Sequence, residues 1–219
     1  RDLVRSRGLG DVYKRQGDIM FTGIVTHIGT VSKIVISDKK DTKLKINIEW
    51  LDDISLGSSI SCNGVCLTVI RKNKGFFEVE YSNETALKTN LKDLKINDKI
   101  NLEKSLKVGQ EIGGHTVTGH IDDIATVIKI SRIKGSYELC FNVKNEIISF
   151  LAEKGSITLN GVSLTINKIF NNSFTVNIIN HTWNKTNLSL ISLGSALNLE
   201  IDIISRYVNR HLEFLKNKE

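Results

Sequence analysis

Short runs in which apolar and polar residues alternate dominate the chain and predict a mostly β structure. Residues 44–48 (Leu-Lys-Ile-Asn-Ile) are typical, because a period of two places apolar side chains on one face of a strand. In the first half such runs cover 30–36, 43–48, 59–62, 67–70, 76–80 and 99–102. In the second half they cover 125–130, 137–143, 156–159, 164–169, 174–178 and 196–200. About six short strands in each half suit a small closed antiparallel barrel, which has no exposed edge.

The chain contains one long segment twice. Residues 63–69 (Asn-Gly-Val-Cys-Leu-Thr-Val) return as residues 160–166 (Asn-Gly-Val-Ser-Leu-Thr-Ile). Further blocks return in the same order and at nearly the same spacing: 22–23 at 118–119, 83–91 at 180–188 and 101–103 at 198–200. Such long spacing indicates a duplicated domain of about 95 residues rather than a solenoid of short repeats. We therefore expect two similar barrels, at 20–116 and 117–203.

Helical spacing is confined to a few stretches. Residues 84–91 and their copy predict one or two helical turns each, and residues 146–154 carry apolar side chains at helix-like intervals. The C-terminal region, 204–219, has no copy in the first half. Its apolar residues recur every three to four positions from 207 to 215, which predicts an amphipathic helix. The pattern leaves open whether this helix packs on its own domain or on other copies of the chain.

Residues 1–19 look foreign to this scheme. They show no apolar period and precede Met20, which is the only methionine. We interpret them as a leader that is not native to the protein, and Met20 as the natural start.

Composition narrows the class of protein. No apolar run approaches the roughly 20 residues that span a bilayer, and no secretory signal is visible, so no membrane association is expected. The three cysteines do not form a disulfide framework, which favours a reducing cytoplasm. The net charge of +6 is modest and mixed, and aromatic residues make up only 6% of the chain. A nucleic-acid-binding barrel, which needs a basic groove and aromatic platforms, is therefore disfavoured.

The repeated Asn-Gly block is the strongest local signal. Asn-Gly favours a tight hairpin turn, which by itself needs no function. However, Cys66 and Ser163 follow it, and Thr68 and Thr165 come two places later on the same strand face. We interpret these faces as ligand-contacting. The spacing between Cys62 and Cys66 is not that of a zinc loop.

Residues 111–120 (Glu-Ile-Gly-Gly-His-Thr-Val-Thr-Gly-His) join the two halves. The paired glycines permit a sharp turn or a close approach to a ligand. His115 and His120 are open to a structural, a ligand-binding or an acid–base role.

Taken together, the ordered motifs resemble riboflavin synthase of the alpha-chain type. The resemblance rests on 20–25 (Met-Phe-Thr-Gly-Ile-Val), 63–68, 111–115, 118–120 and 160–165, and it covers residues 20–215. It implies two six-stranded Greek-key barrels and a C-terminal helix through which three chains associate. It also implies a dismutation of two 6,7-dimethyl-8-ribityllumazine molecules, without metal or organic cofactor. One gives a four-carbon unit to the other, which yields riboflavin and 5-amino-6-ribitylaminopyrimidinedione.

The resemblance also implies a set of site residues. In the N-terminal barrel these are Phe21, Thr22, Gly23, Ile24, Val25, Ser59, Cys66, Leu67, Thr68, Glu80, Tyr81, Ser82, Asn83, Glu84 and Thr85. In the C-terminal barrel they are Gly119, His120, Ile121, Lys154, Ser163, Leu164, Thr165, Ile179, Asn180, His181, Thr182, Trp183 and Asn184. The candidates for catalysis are Cys66, His120, Ser163 and Asp202. Cys66 is expected to act either as a thiolate nucleophile or only as a polar contact.

Two further points bear on function. The family usually has Pro-Glu where this chain has Asn180-His181, so the second barrel lacks that carboxylate, whereas Glu84 is present in the first. The main rival interpretation is a non-catalytic lumazine-binding protein of the same fold.

Overall fold

Two closed six-stranded antiparallel β-barrels in tandem, followed by a helix, make up the computed structural model. The structure describes residues 20–38, 40–49 and 54–216. The predicted leader lies outside these residues. The two barrels and the C-terminal helix confirm the fold class expected from the sequence.

The first barrel contains β1 (His27–Ile36), β2 (Thr42–Asn47), β3 (Ser59–Cys62), β4 (Val65–Asn73), β5 (Phe76–Tyr81) and β6 (Lys99–Lys104). The second contains β7 (Asp123–Ile133), β8 (Ser136–Asn142), β9 (Ser156–Leu159), β10 (Val162–Ile169), β11 (Ser173–Ile179) and β12 (Ala196–Ile201). The strand order around the first barrel is β1-β2-β5-β4-β3-β6, and the second repeats it with the corresponding strands. Alternation decides which side chains face inward: along β2, Thr42, Leu44 and Ile46 are buried and the residues between them are not.

In the described part of the chain, four α-helices accompany the strands: α1 (Asn83–Lys88), α2 (Asn145–Ile148), α3 (Asn180–Lys185) and α4 (Ile203–Lys216). The predicted helix at 146–154 is wrong in its length, because α2 ends at Ile148. After Ile148 the chain forms turns instead of a helix. Phe150 and Leu151, which lie in these turns, pack against the core of the second barrel. Their spacing therefore reflects packing at the end of a barrel rather than a continuous helix. Within the described residues, no helix is long and apolar enough to cross a membrane.

The two barrels meet back to back at their Asn-Gly hairpin turns. Asn63 and Gly64 both have positive φ (48° and 83°), as do Asn160 and Gly161 (46° and 78°), which confirms the tight turns predicted from the sequence. The turns touch: a Cβ atom on Gly64 would lie 2.8 Å from the backbone nitrogen of Gly161, and a Cβ atom on Gly161 would lie 2.8 Å from that of Gly64. Only glycine satisfies both the backbone angle and this contact.

Asparagine side chains form hydrogen bonds across the same interface. The side-chain amide of Asn101 donates to the carbonyl of Asn160 (2.9 Å), and that of Asn198 donates to the carbonyl of Asn63 (2.8 Å). The Asn187 amide likewise reaches across to the side chain of Asn63 (2.9 Å). These buried bonds satisfy the carbonyl groups of both turns, so the relative orientation of the barrels is specified by hydrogen bonds as well as by contact.

We expect Gly64→Ala to destabilise the protein more than Gly75→Ala does. Both glycines have φ +83°, but nothing lies within 4 Å of a Cβ atom at Gly75. Gly75→Ala therefore isolates the backbone strain of about 1–2 kcal/mol. Gly64→Ala adds steric overlap with the other turn, which costs roughly 1–3 kcal/mol more. Urea unfolding followed by tryptophan fluorescence measures both, and equal midpoints for the two variants would contradict the contact.

Candidate functional site

Each barrel sends a short segment onto the other. The segments are 21–25, ahead of β1, and 117–121, ahead of β7, and they are joined by paired backbone bonds between Phe21 and Val117 (2.7 and 3.0 Å). Val25 packs against the core of the second barrel, whereas Ile121 packs against the core of the first. Each barrel is therefore partly covered by residues that belong to the repeat of the other barrel.

Backbone hydrogen bonds hold these segments beside the two nucleophile-type residues. The Cys66 amide donates to the carbonyl of Gly119 (2.9 Å), and the Ser163 amide donates to the carbonyl of Gly23 (2.8 Å). The expected grouping of the site residues is corrected by these contacts. Gly119 and Ile121, with His120 between them, lie on the first barrel, and Gly23 and Val25 lie on the second. The exchange occurs because both segments cross the interface before entering their own barrels.

The first site occupies the outer face of β4. Cys66 and Thr68 alternate with the buried Val65, Leu67 and Val69, so they share the outward face as predicted. The strand register places Ser59 of β3 on one side of Thr68 and Glu80 of β5 on the other. His120 is exposed directly after Gly119. This face thus combines a thiol, two hydroxyls and a carboxylate around one strand, and the segment that carries His120 is bonded to it through Gly119.

The thiol at this site is held in its protonated form. Burial raises the pKa of Cys66, and the carboxylate of Glu200 raises it further, while a hydrogen bond from Ser59 opposes the shift. Because the thiolate is the reactive form of cysteine, these surroundings favour a polar contact over a resting nucleophile.

The second site contains a serine–histidine pair. Nδ1 of His115 lies 2.7 Å from Oγ of Ser163, and its Nε2 lies 3.1 Å from Oγ1 of Thr158. Burial lowers the pKa of His115, and the negative charge of Asp202 acts in the opposite direction. The imidazole is therefore neutral near pH 7 and is oriented by two hydroxyl groups, so it can accept a proton.

His115 is a candidate site residue that is absent from the site predicted from the sequence. Its signal was the Gly-Gly-His motif, but nothing in the chain order shows that residue 115 contacts Ser163. A Cβ atom on Gly114 would lie 2.2 Å from the carbonyl oxygen of Thr22 and 2.8 Å from the Cβ atom of Ser163, so glycine is needed there to let the histidine approach. The contact is purely tertiary.

The four candidate catalytic residues divide between the sites. Cys66 and His120 belong to the first, and Ser163 belongs to the second. Asp202 follows β12, where its Oδ1 accepts a hydrogen bond from the Ile204 amide at the start of α4 (2.9 Å). Its electrostatic effect on His115 associates it with the second site.

Four of the predicted contact residues have buried side chains. Phe21, Leu67, Tyr81 and Leu164 are at most 8% exposed, and the hydroxyl of Tyr81 donates to the carbonyl of Leu91 (3.3 Å). The side chains of Leu67, Tyr81 and Leu164 belong to the barrel cores, and Phe21 is buried in the segment that pairs with Val117. Lys154 is exposed and lies in a turn with φ +67°. Its backbone amide donates to the carbonyl of Ile166 (2.8 Å).

An open cleft of about 900 Å³ lies beside the first barrel. Thr22, Ile24, Ser59 and Glu103 line it together with the linker residues 104–111. The cleft is therefore bounded by residues that were expected at the site as well as by the segment that joins the repeats. Among the described residues, no group of three or more His, Cys, Asp and Glu side chains is arranged to hold a metal ion.

The sequence profile of the lumazine binding domain matches this chain twice, over residues 22–105 and 118–202. Riboflavin synthase from Photobacterium phosphoreum is 36% identical over 195 residues, which are 88% of this chain and 89% of that protein. The chain belongs to the riboflavin synthase family. Riboflavin synthase from Brucella abortus is 37% identical over 205 residues, 90% of this chain and 100% of the relative.

Solved structures agree with this membership of the riboflavin synthase family. The crystal structure of LumP complexed with 6,7-dimethyl-8-(1'-D-ribityl) lumazine matches with a TM-score of 0.74 and 26% identity, covering 83% of this chain and 98% of that one. The structure of LumP complexed with riboflavin matches with a TM-score of 0.77 at the same identity and coverage. LumP thus accommodates both molecules on a closely similar backbone.

The helices beside the two sites differ in a way that bears on ligand contact. Ser82 caps α1 by accepting from the Thr85 amide, and Glu84 pairs with Lys88 (2.7 Å). The α3 helix begins after Ile179 without a side-chain cap, and the exposed His181 replaces the carboxylate. Next to it, Trp183 stacks on Tyr137 with ring centroids 3.9 Å apart. Two equivalent helices in equal folds therefore carry different side chains.

We expect the imidazole of His115 to titrate below pH 6.5, because burial lowers its pKa. Below about pH 6.5 the imidazole binds a proton more strongly in the unfolded chain than in the folded chain. The free energy of unfolding is therefore unaffected by this residue's titration above about pH 6.5 and decreases as the pH falls below that value. An NMR titration of the His115 ring protons, assigned by comparison with His115→Gln, measures the midpoint. A midpoint at or above 6.5 would contradict the half-buried, neutral ring.

Proposed function

We propose that this protein is a riboflavin synthase that acts on two molecules of 6,7-dimethyl-8-ribityllumazine. One molecule transfers a four-carbon unit to the other, giving riboflavin and 5-amino-6-ribitylaminopyrimidinedione. The two substrates contain all the atoms and electrons of the two products, so the reaction needs no external oxidant or reductant. The membership of the chain in the riboflavin synthase family carries this proposal.

The duplicated architecture supports it on physical grounds. The two reactants are identical, so the enzyme needs two sites of similar shape, and two copies of one barrel supply them. Both copies place a small polar residue, Cys66 or Ser163, at the same position of the strand that follows the hairpin turn. Fixing two rings face to face removes much of the entropic barrier to their reaction.

The side chains at the two sites suit the expected steps. The reaction begins with loss of a proton from an acidic ring methyl of one lumazine, and the resulting carbanion is delocalised into the ring. Hydrogen-bond donors directed at the ring carbonyls stabilise that charge. The other lumazine accepts a nucleophile. We assign His120 and the His115–Ser163 pair to proton transfer, with Asp202 stabilising the positive form of His115.

The two rings meet between subunits in this proposal, with the first barrel of one chain facing the second barrel of another in a homotrimer. The α4 helix provides the surface for assembly. It is tied to the second barrel by Arg206 and Asp122 (2.9 Å). Nevertheless three of its apolar side chains, Ile204, Tyr207 and Leu212, are 50–70% exposed. A helix with such a face gains stability by packing against its copies. We also propose a cytoplasmic location, since Cys62, Cys66 and Cys140 are all unpaired.

We expect the protein to form riboflavin when incubated with 6,7-dimethyl-8-ribityllumazine in the presence of EDTA. Riboflavin absorbance and fluorescence measure the product, and heat-denatured protein is the control. Tight binding of the lumazine without turnover would favour the rival, a non-catalytic lumazine-binding protein. Absence of binding would contradict both.

Cys66→Ser is expected to retain turnover within about tenfold of the unsubstituted protein, because the thiol is protonated and Ser163 already occupies the matching position. Steady-state kinetics of riboflavin formation test this, and Cys140→Ser provides the control for removal of a cysteine. A loss of more than about a thousandfold would instead indicate a thiolate nucleophile.

Deletion of residues 204–219 is expected to convert the trimer into monomers and to abolish turnover, because each reaction centre would lose its second barrel. Sedimentation velocity gives the mass, and fluorescence of bound lumazine reports whether the isolated barrels still bind. A deleted protein that remains a trimer would contradict the role of α4.

A further inference from the structure

Two buried carboxylates hold the segments that cross between the barrels. Glu103 of β6 is 6% exposed and Glu200 of β12 is 2% exposed. Oε1 of Glu103 accepts from both the amide and the hydroxyl of Thr22 (2.7 Å each), and Oε2 accepts from the amide of Gly23 (3.0 Å). Glu200 makes the same three bonds to Thr118 and Gly119 (2.7, 2.7 and 2.9 Å). The arrangement is therefore duplicated atom for atom.

Each held segment ends on the site of the opposite barrel. The carbonyl of Gly23, fixed by Glu103 of the first barrel, accepts from the Ser163 amide of the second. The carbonyl of Gly119, fixed by Glu200 of the second barrel, accepts from the Cys66 amide of the first. Both contacts are tight, because a Cβ atom on either glycine would lie 2.5–2.6 Å from the Cβ atom of Ser163 or Cys66. A small displacement of either turn is thus transmitted to the site residue.

We propose that Glu103 and Glu200 are crossed positioning residues: Glu103 sets the geometry of the Ser163 site on the second barrel, and Glu200 sets that of the Cys66 site on the first. Their effect on catalysis rests on the function proposed above, whereas their effect on the geometry does not. A carboxylate that served only its own barrel would leave the opposite site unchanged.

The chemistry of the carboxylate explains why glutamine cannot replace it. All three partners of each carboxylate are donors, which suits an ionised group that only accepts. Burial raises the pKa of both groups, and the three donors oppose that shift. A glutamine would keep one oxygen for the threonine but would direct its NH₂ group at the glycine amide. Two donors would then face each other in a buried position, which selectively releases the glycine turn.

Amide hydrogen exchange in the full-length protein tests directly whether each carboxylate acts on the site of the opposite barrel. The amides of Cys66 and Ser163 each donate to a glycine carbonyl of the opposite segment, so they are matched reporters that do not depend on turnover. In Glu200→Gln we expect the Cys66 amide to exchange about tenfold faster or more and the Ser163 amide to change by less than about twofold. Glu103→Gln should reverse this pattern.

Graded variants separate positioning from loss of charge. Thr118→Val removes one of the three bonds but keeps the Glu200 carboxylate, so we expect a smaller acceleration at the same Cys66 amide. Thr22→Val should act in the same way on Ser163. The exposed Glu153 supplies the control, because Glu153→Gln removes a surface charge and should alter neither reporter. If a glutamine variant fails to fold, the two valine variants carry the test.

The proposal fails if Glu200→Gln accelerates Ser163 instead of Cys66, if both amides respond equally in each variant, or if neither responds. Equal acceleration would mean that the carboxylates only stabilise the fold. With 6,7-dimethyl-8-ribityllumazine as substrate, each glutamine variant is further expected to lower kcat by about tenfold or more with a smaller change in KM. Crossed exchange in a protein without turnover would uphold the positioning role and overturn the proposed function.

Discussion

The contact between the two Asn-Gly hairpin turns is the constraint on which the remaining structure depends. Gly64 and Gly161 approach so closely that neither tolerates a side chain, and asparagine amides from each barrel bond the carbonyls of the other turn. Because β4 and β10 start at these turns, their positions specify where the outer faces of both barrels lie. The barrels are thus two cores with one polar, hydrogen-bonded interface, which specifies orientation more strictly than an apolar contact would.

At this interface the segments 21–25 and 117–121, called the crossing segments, each pass onto the opposite barrel. Each segment bonds the other through Phe21 and Val117 and then continues onto the opposite barrel. The consequence is that each face carries backbone of the other repeat: the Cys66 amide donates to the carbonyl of Gly119, and the Ser163 amide donates to that of Gly23. Duplication supplied two similar surfaces, and backbone hydrogen bonds from Cys66 to Gly119 and from Ser163 to Gly23 link each surface to the other repeat.

The two sites are similar in backbone and different in chemistry. One presents a protonated thiol on the same face as the carboxylate of Glu80, whereas the other presents Ser163 with a neutral, half-buried His115. A reaction between two identical molecules needs such a difference, because one molecule gives up the fragment that the other receives. Positions where the copies differ, such as Cys66 against Ser163 and Glu84 against His181, are the means by which one fold provides both environments.

The sequence by itself determined the repeat, the strands, the Asn-Gly turns, the C-terminal helix and the family, because these depend on local alternation, on backbone preferences and on ordered motifs. It also placed Cys66 with Thr68, and Ser163 with Thr165, on outward faces, since residues two apart on a strand point the same way. At 146–154 the local spacing predicted a helix that is too long, because the apolar residues after Ile148 pack against the barrel core without forming a helix. Only the tertiary structure decided that His115 contacts Ser163 and that each crossing segment serves the opposite barrel. Those contacts join residues far apart in the chain, and no periodicity of the sequence encodes which of two equivalent barrels a segment will reach.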